Sequence, residues 1–202
     1  MSEQSANGKP TKMTRFEEAL VYAARLHATQ VRKGSQIPYV SHLLGVASIV
    51  MEYGGNEDEA IAALLHDAIE DQGGDATRQE IRCRFGERIA AIVEGCTDAD
   101  TVPKPPWKQR KSNYIAHLPK ASPSVLLVSA ADKLSNARAI LADYRTLGEE
   151  LWKRFTGRKD GTLWYYRELV KVYRATKTPV QLADELDRVV TEIERLSGAS
   201  AG

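Results

Sequence analysis

The sequence is poor in net charge and in long apolar segments. Its 202 residues include 28 lysines and arginines against 27 aspartates and glutamates, a formal charge of +1. The sequence therefore has no basic excess of the kind that nucleic-acid-binding domains carry. No apolar run approaches the roughly 20 residues needed to cross a bilayer. We therefore expect neither DNA nor RNA nor a membrane as a partner.

The sequence also has few cysteines, and its N-terminal segment does not resemble a secretory signal. Cys83 and Cys96 are the two cysteines, too few for a disulfide framework. The polar N-terminal segment MSEQSANGKPTKMT lacks the apolar core of a secretory signal. Together these features predict a reduced, cytoplasmic setting. The sequence also has no glycine-rich phosphate loop and no HExxH or CxxC pattern, so common phosphate, zinc-protease and redox motifs do not explain its chemistry.

Apolar residues recur at helical spacing along most of the chain, and no segment shows the alternation of a half-buried strand. The sequence predicts an all-α, single-domain fold: a disordered tail over 1–13 and a domain over 14–197 that includes a C-terminal helical extension, 146–197. The first helix is predicted to begin at Thr14 and to end with Arg32 and Lys33, before Gly34. Further helices are predicted over 41–51, 57–71, 77–85, 87–95, 107–117, 124–144, 151–155, 163–173 and 180–196, with loops over 97–106 and 157–161.

The predicted helix over 57–71 carries four ionisable side chains on one side. At about 100° per residue, His66, Asp67, Glu70 and Asp71 form one stripe opposite a wholly apolar side. An ordinary amphipathic helix would also have a polar face, but such faces usually include lysine or arginine, and this stripe has neither. Adjacent histidine and aspartate form a compact metal-ligating unit. Glu70 and Asp71 stand at the unfavourable end of the helix dipole, which indicates that something cationic offsets them.

His42 and Asp132 are candidates for further ligands. His42 stands in the first turn of the helix predicted over 41–51 and, taken alone, is compatible with an ordinary helix-start histidine. Asp132 follows the apolar stretch 125–131, where a buried carboxylate is costly unless it is paired or bound to a metal. A salt bridge to Lys133 or Arg138 would also satisfy Asp132.

The order His42, His66-Asp67, Asp132 resembles that of the HD-domain metal phosphohydrolases. The flanking residues resemble those of the hydrolase domain of the Rel/Spo alarmone enzymes. The length of the chain is similar to that of the stand-alone small alarmone hydrolases. The resemblance spans residues 15–145. The residues that carry it are His27-x-x-Gln30-x-Arg32-Lys33-Gly34, Pro38-Tyr39-x-x-His42, His66-Asp67-x-x-Glu70-Asp71 and Ala131-Asp132-Lys133-Leu134-x-Asn136.

This resemblance implies a manganese-dependent 3′-pyrophosphohydrolase acting on guanosine 3′,5′-bis(diphosphate), although other divalent transition metals would suit the same ligands. It assigns metal binding to His42, His66, Asp67 and Asp132, catalysis to Glu70 and Asp71, and nucleotide binding to Arg32, Lys33 and Asn136. Leu43 and Ala139 depart from the family pattern, in which many relatives have Pro and Thr. Ala139 leaves the base preference open.

Other functions stay open at this point. An HD phosphohydrolase could act on an adenine alarmone or a phosphorylated dinucleotide, and an inactive HD pocket could serve as a nucleotide sensor, although a sensor has no need of the acidic pair. Lys108, Arg110 and Lys111 are predicted to form a solvated helix face, with a contact to a distal phosphate as the alternative. The run Trp164-Tyr165-Tyr166 is predicted to be core or a dimer contact rather than a base-stacking platform, and a homo-oligomer is compatible with it.

Overall fold

The computed structural model describes residues 14–98, 103 and 105–198; the tail predicted over 1–13 and part of the loop predicted over 97–106 lie outside them. The described residues form helices and one isolated β-bridge, with no strand, so the all-α prediction is confirmed. The helices are α1 Thr14–Leu26, α2 Val40–Glu52, α3 Glu57–Leu65, α4 Ala68–Asp71, α5 Asp75–Phe85, α6 Glu87–Cys96, α7 Trp107–His117, α8 Pro123–Leu147, α9 Arg158–Ala175 and α10 Val180–Leu196, with 3₁₀ segments at Leu118–Lys120 and Gly148–Arg154.

The long helix α8 lies at the centre of the fold, against α2, α3, α6 and α10. Ser122 caps it, because the Ser122 hydroxyl accepts a hydrogen bond from the backbone N–H of Val125 at 3.3 Å, and Pro123 occupies the first turn, where proline is tolerated. Apolar side chains from Val125 to Ala131 are buried. The burial of these side chains fixes the position of α8, and therefore of Asp132, within the fold.

Helix α3 is buried from Ala60 to Leu65, and it ends earlier than predicted. Asn56 and Glu59 form a capping box at its start, and every side chain from Ala60 to Leu65 is fully buried. The prediction of one helix over 57–71 is wrong, since His66 and Asp67 form a turn between α3 and α4. The His66 Nδ1 atom lies 2.8 Å from the Ala63 carbonyl oxygen, the group that would accept from the Asp67 N–H in a continuous helix, so the side chain competes with helix propagation.

A short hairpin follows α1 and is named here the 27–39 loop. Helix α1 ends at Leu26, not at Lys33 as predicted. Val31 and Pro38 form a β-bridge, and the Arg32 N–H donates to the Ile37 carbonyl at 2.8 Å. Gly34, at the turn, has φ +76°, and a Cβ there would lie 2.6 Å from Cδ of Arg154. Glycine is therefore needed both for the backbone conformation and for the close approach of Arg154.

Helix α9 begins at Arg158, so the loop predicted over 157–161 is wrong. A Cβ on Gly157 or Gly161 would lie 2.6 or 3.2 Å from the Trp107 ring, so these glycines let the start of α9 pack directly on Trp107. Tyr165 and Tyr166 are buried, which confirms the prediction that they belong to the core.

Candidate metal centre and adjoining cavity

Four side chains from three parts of the fold meet at one point. His42 comes from the first turn of α2, His66 and Asp67 from the turn between α3 and α4, and Asp132 from the middle of α8. The Nε2 atom of His42 lies 3.1 Å from Oδ1 of Asp132 and 3.8 Å from Oδ2 of Asp67. The Nε2 atom of His66 lies 2.9 Å from Oδ2 of Asp67 and 3.5 Å from Oδ1 of Asp132. The four residues predicted as ligands are therefore brought together.

A contact at Nδ1 orients each of the two imidazole rings. Nδ1 of His42 lies 3.2 Å from the Ser135 hydroxyl, and Nδ1 of His66 lies 2.8 Å from the Ala63 carbonyl. Both Nε2 atoms therefore point into the cluster, where they face the carboxylate oxygens of Asp132 and Asp67 but make no well-aligned hydrogen bond among the described residues. Buried imidazoles with an anchored Nδ1 and an unsatisfied Nε2 are the usual arrangement of metal ligands. A divalent metal fits this donor set, because it would satisfy both orphaned nitrogen atoms and both carboxylates.

The electrostatics of the cluster favour ionised carboxylates. Burial raises the pKa of Asp132, but Lys133 and the two histidines outweigh burial and hold that pKa well below its usual range. His66 in the same way outweighs burial and lowers the pKa of Asp67. Burial lowers the pKa of His42, which favours the neutral imidazole that binds metal. For His66, the carboxylate of Asp67 outweighs burial and raises the pKa.

Two further residues hold the carboxylates of the cluster in place: Lys133, which forms the ion pair with Asp132 that the sequence left open as an alternative, and Tyr39, to which the sequence analysis gave no role. Nζ of Lys133 lies 2.6 Å from Oδ2 of Asp132, and the Tyr39 hydroxyl donates to Oδ2 of Asp67 at 2.5 Å. The remaining oxygen of Asp132 accepts from Nδ2 of Asn136 at 2.5 Å. Lys133 directly follows Asp132, and Tyr39 stands three residues before His42 in the motif Pro38-Tyr39-x-x-His42; these positions in the motifs were the available signal.

Asn136 joins the metal cluster to the nucleotide-binding residues assigned by the resemblance. Its side-chain oxygen accepts from a guanidinium nitrogen of Arg32 at 3.0 Å, while its nitrogen bonds to Asp132. Arg32 therefore reaches the cluster from the 27–39 loop through one intervening amide. Lys33 lies on the same loop and lines the adjoining cavity.

A cavity of about 450 Å³ adjoins the cluster. Its wall includes four of the predicted site residues, Arg32, Lys33, Glu70 and Asn136, together with Tyr39 and Lys133. The segment after 146, in which the sequence analysis assigned no site residue, contributes Arg154, Phe155, Thr156, Thr162, Tyr165 and Tyr166. The size of the cavity suits a nucleotide-sized ligand, and most of its charged groups are cations.

The acidic pair is divided between the cavity and the surface. Glu70 is half-buried and lines the cavity. Asp71 is exposed at the end of α4, where its Oδ2 atom accepts from Nε2 of Gln30 at 2.8 Å. The two residues thus face different surroundings although they are adjacent in sequence.

The prediction of a solvated face for Arg110 and Lys111 is wrong. Both line the cavity, and both contact the Asp98 carboxylate, Lys111 at 2.7 Å. Burial and the neighbouring Lys133 lower the pKa of Lys111. Lys108 is exposed, and its ammonium lies over the ring of Trp164. Asp98 lies in the loop predicted over 97–106, so the helical pattern of 107–117 gives no indication of this contact.

The described residues form an all-helical fold around a cluster of two histidines and two aspartates whose donor atoms fit a divalent metal. The sequence matches the model of the HD domain family over residues 19–162. The chain therefore belongs to the HD domain family, and the resemblance seen in its motifs is confirmed. Among the residues described, no helix is both long and apolar enough to cross a membrane.

Relatives of this chain share most of its length. It is 38% identical over 164 residues to "Guanosine-3′,5′-bis(diphosphate) 3′-pyrophosphohydrolase MESH1" of Xenopus tropicalis, covering 80% of this chain and 86% of that protein. The protein of the same name from Homo sapiens is 41% identical over 124 residues, which are 60% of this chain and 66% of the human protein. A solved structure described as a metazoan ortholog of SpoT that hydrolyses ppGpp superposes with a TM-score of 0.74 at 29% identity, covering 98% of this chain and 99% of that one.

Proposed function

We propose that this protein removes the 3′-pyrophosphate from guanosine 3′,5′-bis(diphosphate), or from the corresponding 5′-triphosphate, to give GDP or GTP and pyrophosphate. The observation that carries the proposal is the chain of hydrogen bonds from Asp132 through Asn136 to Arg32. This chain connects the candidate metal ligands to a cavity that is lined mostly by cations and has the size of a nucleotide. The names of the relatives point to the same reaction. We place the activity in the cytoplasm.

His42, His66, Asp67 and Asp132 would hold the metal, and we propose Mn²⁺ as the native ion. Two imidazoles and two carboxylates suit a first-row divalent ion. Such an ion, when bound, supplies Lewis acidity toward phosphate oxygen and lowers the pKa of water. Lys133 and Tyr39 hold the Asp132 and Asp67 carboxylates in position for it.

The chain's own residues would handle the proton and the substrate charge. Water attacks the phosphorus attached to the ribose 3′-oxygen, the bond between that phosphorus and oxygen breaks, and the 3′-oxygen takes up a proton. Glu70 lines the cavity, and it would accept the proton of the water and return one to the leaving oxygen. Lys111 and Lys133 face the same cavity and would neutralise the charge of the pyrophosphate.

Arg32 and Lys33 would bind the nucleoside side of the substrate. Both lie on the 27–39 loop at the cavity wall, where a guanidinium can stack on a purine or pair with phosphate and an ammonium can act as a mobile point charge. Asn136 would contact the nucleoside through an amide already held beside the cluster.

A second candidate is the same hydrolysis on a nucleotide with another base. The observation that favours it is Ala139, which lines the cavity at a position where many relatives carry threonine. A small apolar side chain there removes a hydroxyl that could read the base. The acidic pair Glu70-Asp71 is intact, which favours turnover over a purely sensory role.

Product analysis across a substrate panel tests the proposal. Purified protein with Mn²⁺ is incubated with guanosine and adenosine 3′-pyrophosphorylated nucleotides, and the products are separated by ion-exchange chromatography. We expect guanosine 3′,5′-bis(diphosphate) to yield GDP and intact pyrophosphate, with Glu70→Gln protein as the inactive control. Stepwise release of orthophosphate would contradict the reaction, and turnover of the adenine substrate alone would favour the second candidate.

A further inference from the structure

Gln30 bridges the 27–39 loop and the end of α4. Its Nε2 atom donates to Oδ2 of Asp71 at 2.8 Å. An ionised carboxylate accepts hydrogen bonds and cannot donate them, so the amide nitrogen of Gln30 must face Asp71. The amide oxygen of Gln30 then faces the opposite way, into the protein.

Two side chains hold that oxygen. Oε1 of Gln30 accepts from Nε2 of Gln72 at 2.6 Å and lies 2.7 Å from Nδ1 of His27. Because a carbonyl oxygen only accepts, His27 must carry its proton on Nδ1. The Nε2 atom of His27 is buried and has no hydrogen-bond partner within the described ranges, so a second proton there would be unsatisfied. The geometry therefore fixes His27 as the neutral Nδ1–H tautomer.

His27 is itself held rigidly. It is only 2% exposed, and its ring stacks on Tyr39 with the centroids 5.3 Å apart and an interplanar angle of 23°. Tyr39 also donates to Asp67 in the metal cluster. The Gln30 amide is thus fixed by a buried, stacked imidazole, and it donates to a carboxylate that is exposed at the end of α4.

We infer that Gln30 is a positioning residue, which fixes the Asp71 carboxylate for turnover and is itself held by the neutral His27 imidazole and by Gln72. The inference rests on the proposed function and on the catalytic role that the family resemblance assigns to Asp71. Gln30 would touch neither the substrate nor the metal. Its contribution would pass through the orientation of one carboxylate, so it should affect kcat and leave KM and metal content unchanged.

A double-mutant cycle between Gln30 and Asp71 tests this. Gln30→Met keeps the length of the side chain and removes both hydrogen-bonding groups. We expect it to lower kcat about tenfold, equivalent to about 1.4 kcal/mol, without changing KM or bound manganese. Tm should also fall, because the buried Nδ1–H of His27 loses its acceptor. Adding Gln30→Met to Asp71→Ala should cause no further loss. Gln181→Met, at an exposed position of α10, is the matched control and should match the wild type.

The outcomes separate this inference from the proposed function. If Asp71→Ala lowers kcat but the two losses multiply in the double variant, Gln30 does not act through Asp71, and the inference is overturned while the proposed function stands. If Asp71→Ala leaves turnover unchanged, the catalytic role that the resemblance assigns to Asp71 is wrong and the inference falls with it, while the proposed hydrolysis still stands. A KM effect or loss of metal in Gln30→Met protein would also overturn it.

A second readout does not depend on activity. In protein labelled with ¹⁵N-histidine, long-range ¹H–¹⁵N spectra report which ring nitrogen carries the proton. We expect His27 to be the Nδ1–H tautomer in the wild type and to lose that preference in Gln30→Met protein. An Nε2–H tautomer in the wild type, or an unchanged His27 spectrum in the variant, would overturn the inference.

Discussion

Replacing Lys133 with methionine tests how much the Lys133 cation stabilises the buried carboxylate of Asp132. Nζ of Lys133 lies 2.6 Å from Oδ2 of Asp132, and the two side chains are only 15% and 7% exposed. Lys133→Met keeps the apolar stem and removes the cation. Without a metal, Asp132 then remains as a buried carboxylate whose closest cationic partner has gone.

The expected loss of stability follows from this burial. Removing one partner of a buried ion pair costs about 3–5 kcal/mol, and we expect the lower end because Asn136 still donates to Asp132. For a chain of this size, a loss of about 3 kcal/mol corresponds to a fall in Tm of roughly 6–12 °C. A divalent cation bound beside Asp132 would replace the missing charge, so Mn²⁺ should close much of the difference between variant and wild type.

Urea unfolding with EDTA and with saturating Mn²⁺ measures both quantities. Lys171→Met is the matched control, because Lys171 lies 2.7 Å from Glu168 but the side chains are 64% and 33% exposed; an exposed pair of this kind contributes about 0–1 kcal/mol. If Lys133→Met costs no more than Lys171→Met, or if its cost is the same with and without Mn²⁺, the electrostatic reasoning is refuted.

Three further variants test separate parts of the site. Glu70→Gln should lower kcat by about two to four orders of magnitude with metal content and Tm unchanged; normal turnover would show that Glu70 takes no part in catalysis. Arg32→Ala should raise KM for guanosine 3′,5′-bis(diphosphate) at least severalfold with metal intact, whereas a lower Tm with normal kinetics would make Arg32 structural. Gly34→Ala should lower the free energy of unfolding by roughly 1–2 kcal/mol, the cost of a left-handed conformation, and more if Arg154 cannot move; urea unfolding indistinguishable from wild type would contradict the turn geometry.

The helices and the cluster were predictable because they depend on local patterns. Helical spacing of apolar residues located most elements, and the order of His42, His66-Asp67 and Asp132 matched a known family. The break between α3 and α4 was not predictable from spacing, because it coincides with a bond from the His66 ring to the Ala63 carbonyl. A pattern of apolar residues does not record such a side-chain contact.

The cavity wall depended on contacts between distant segments. Arg32 and Lys33 were predicted at a helix end, but the Val31–Pro38 bridge places them on a hairpin. The sequence pattern predicted solvated side chains for Arg110 and Lys111, because their partner Asp98 lies outside their helix. Each of these side chains is positioned by a partner that sequence periodicity does not connect to it.

The central claim is that His42, His66, Asp67 and Asp132 form a single metal site, and metal content tests it most directly. Apoprotein is loaded with Mn²⁺, freed of excess ion by gel filtration and analysed by inductively coupled plasma mass spectrometry. We predict one ion per chain in the wild type and near-complete loss in both His66→Ala and Asp67→Ala protein. Full metal occupancy in both variants would contradict the assignment.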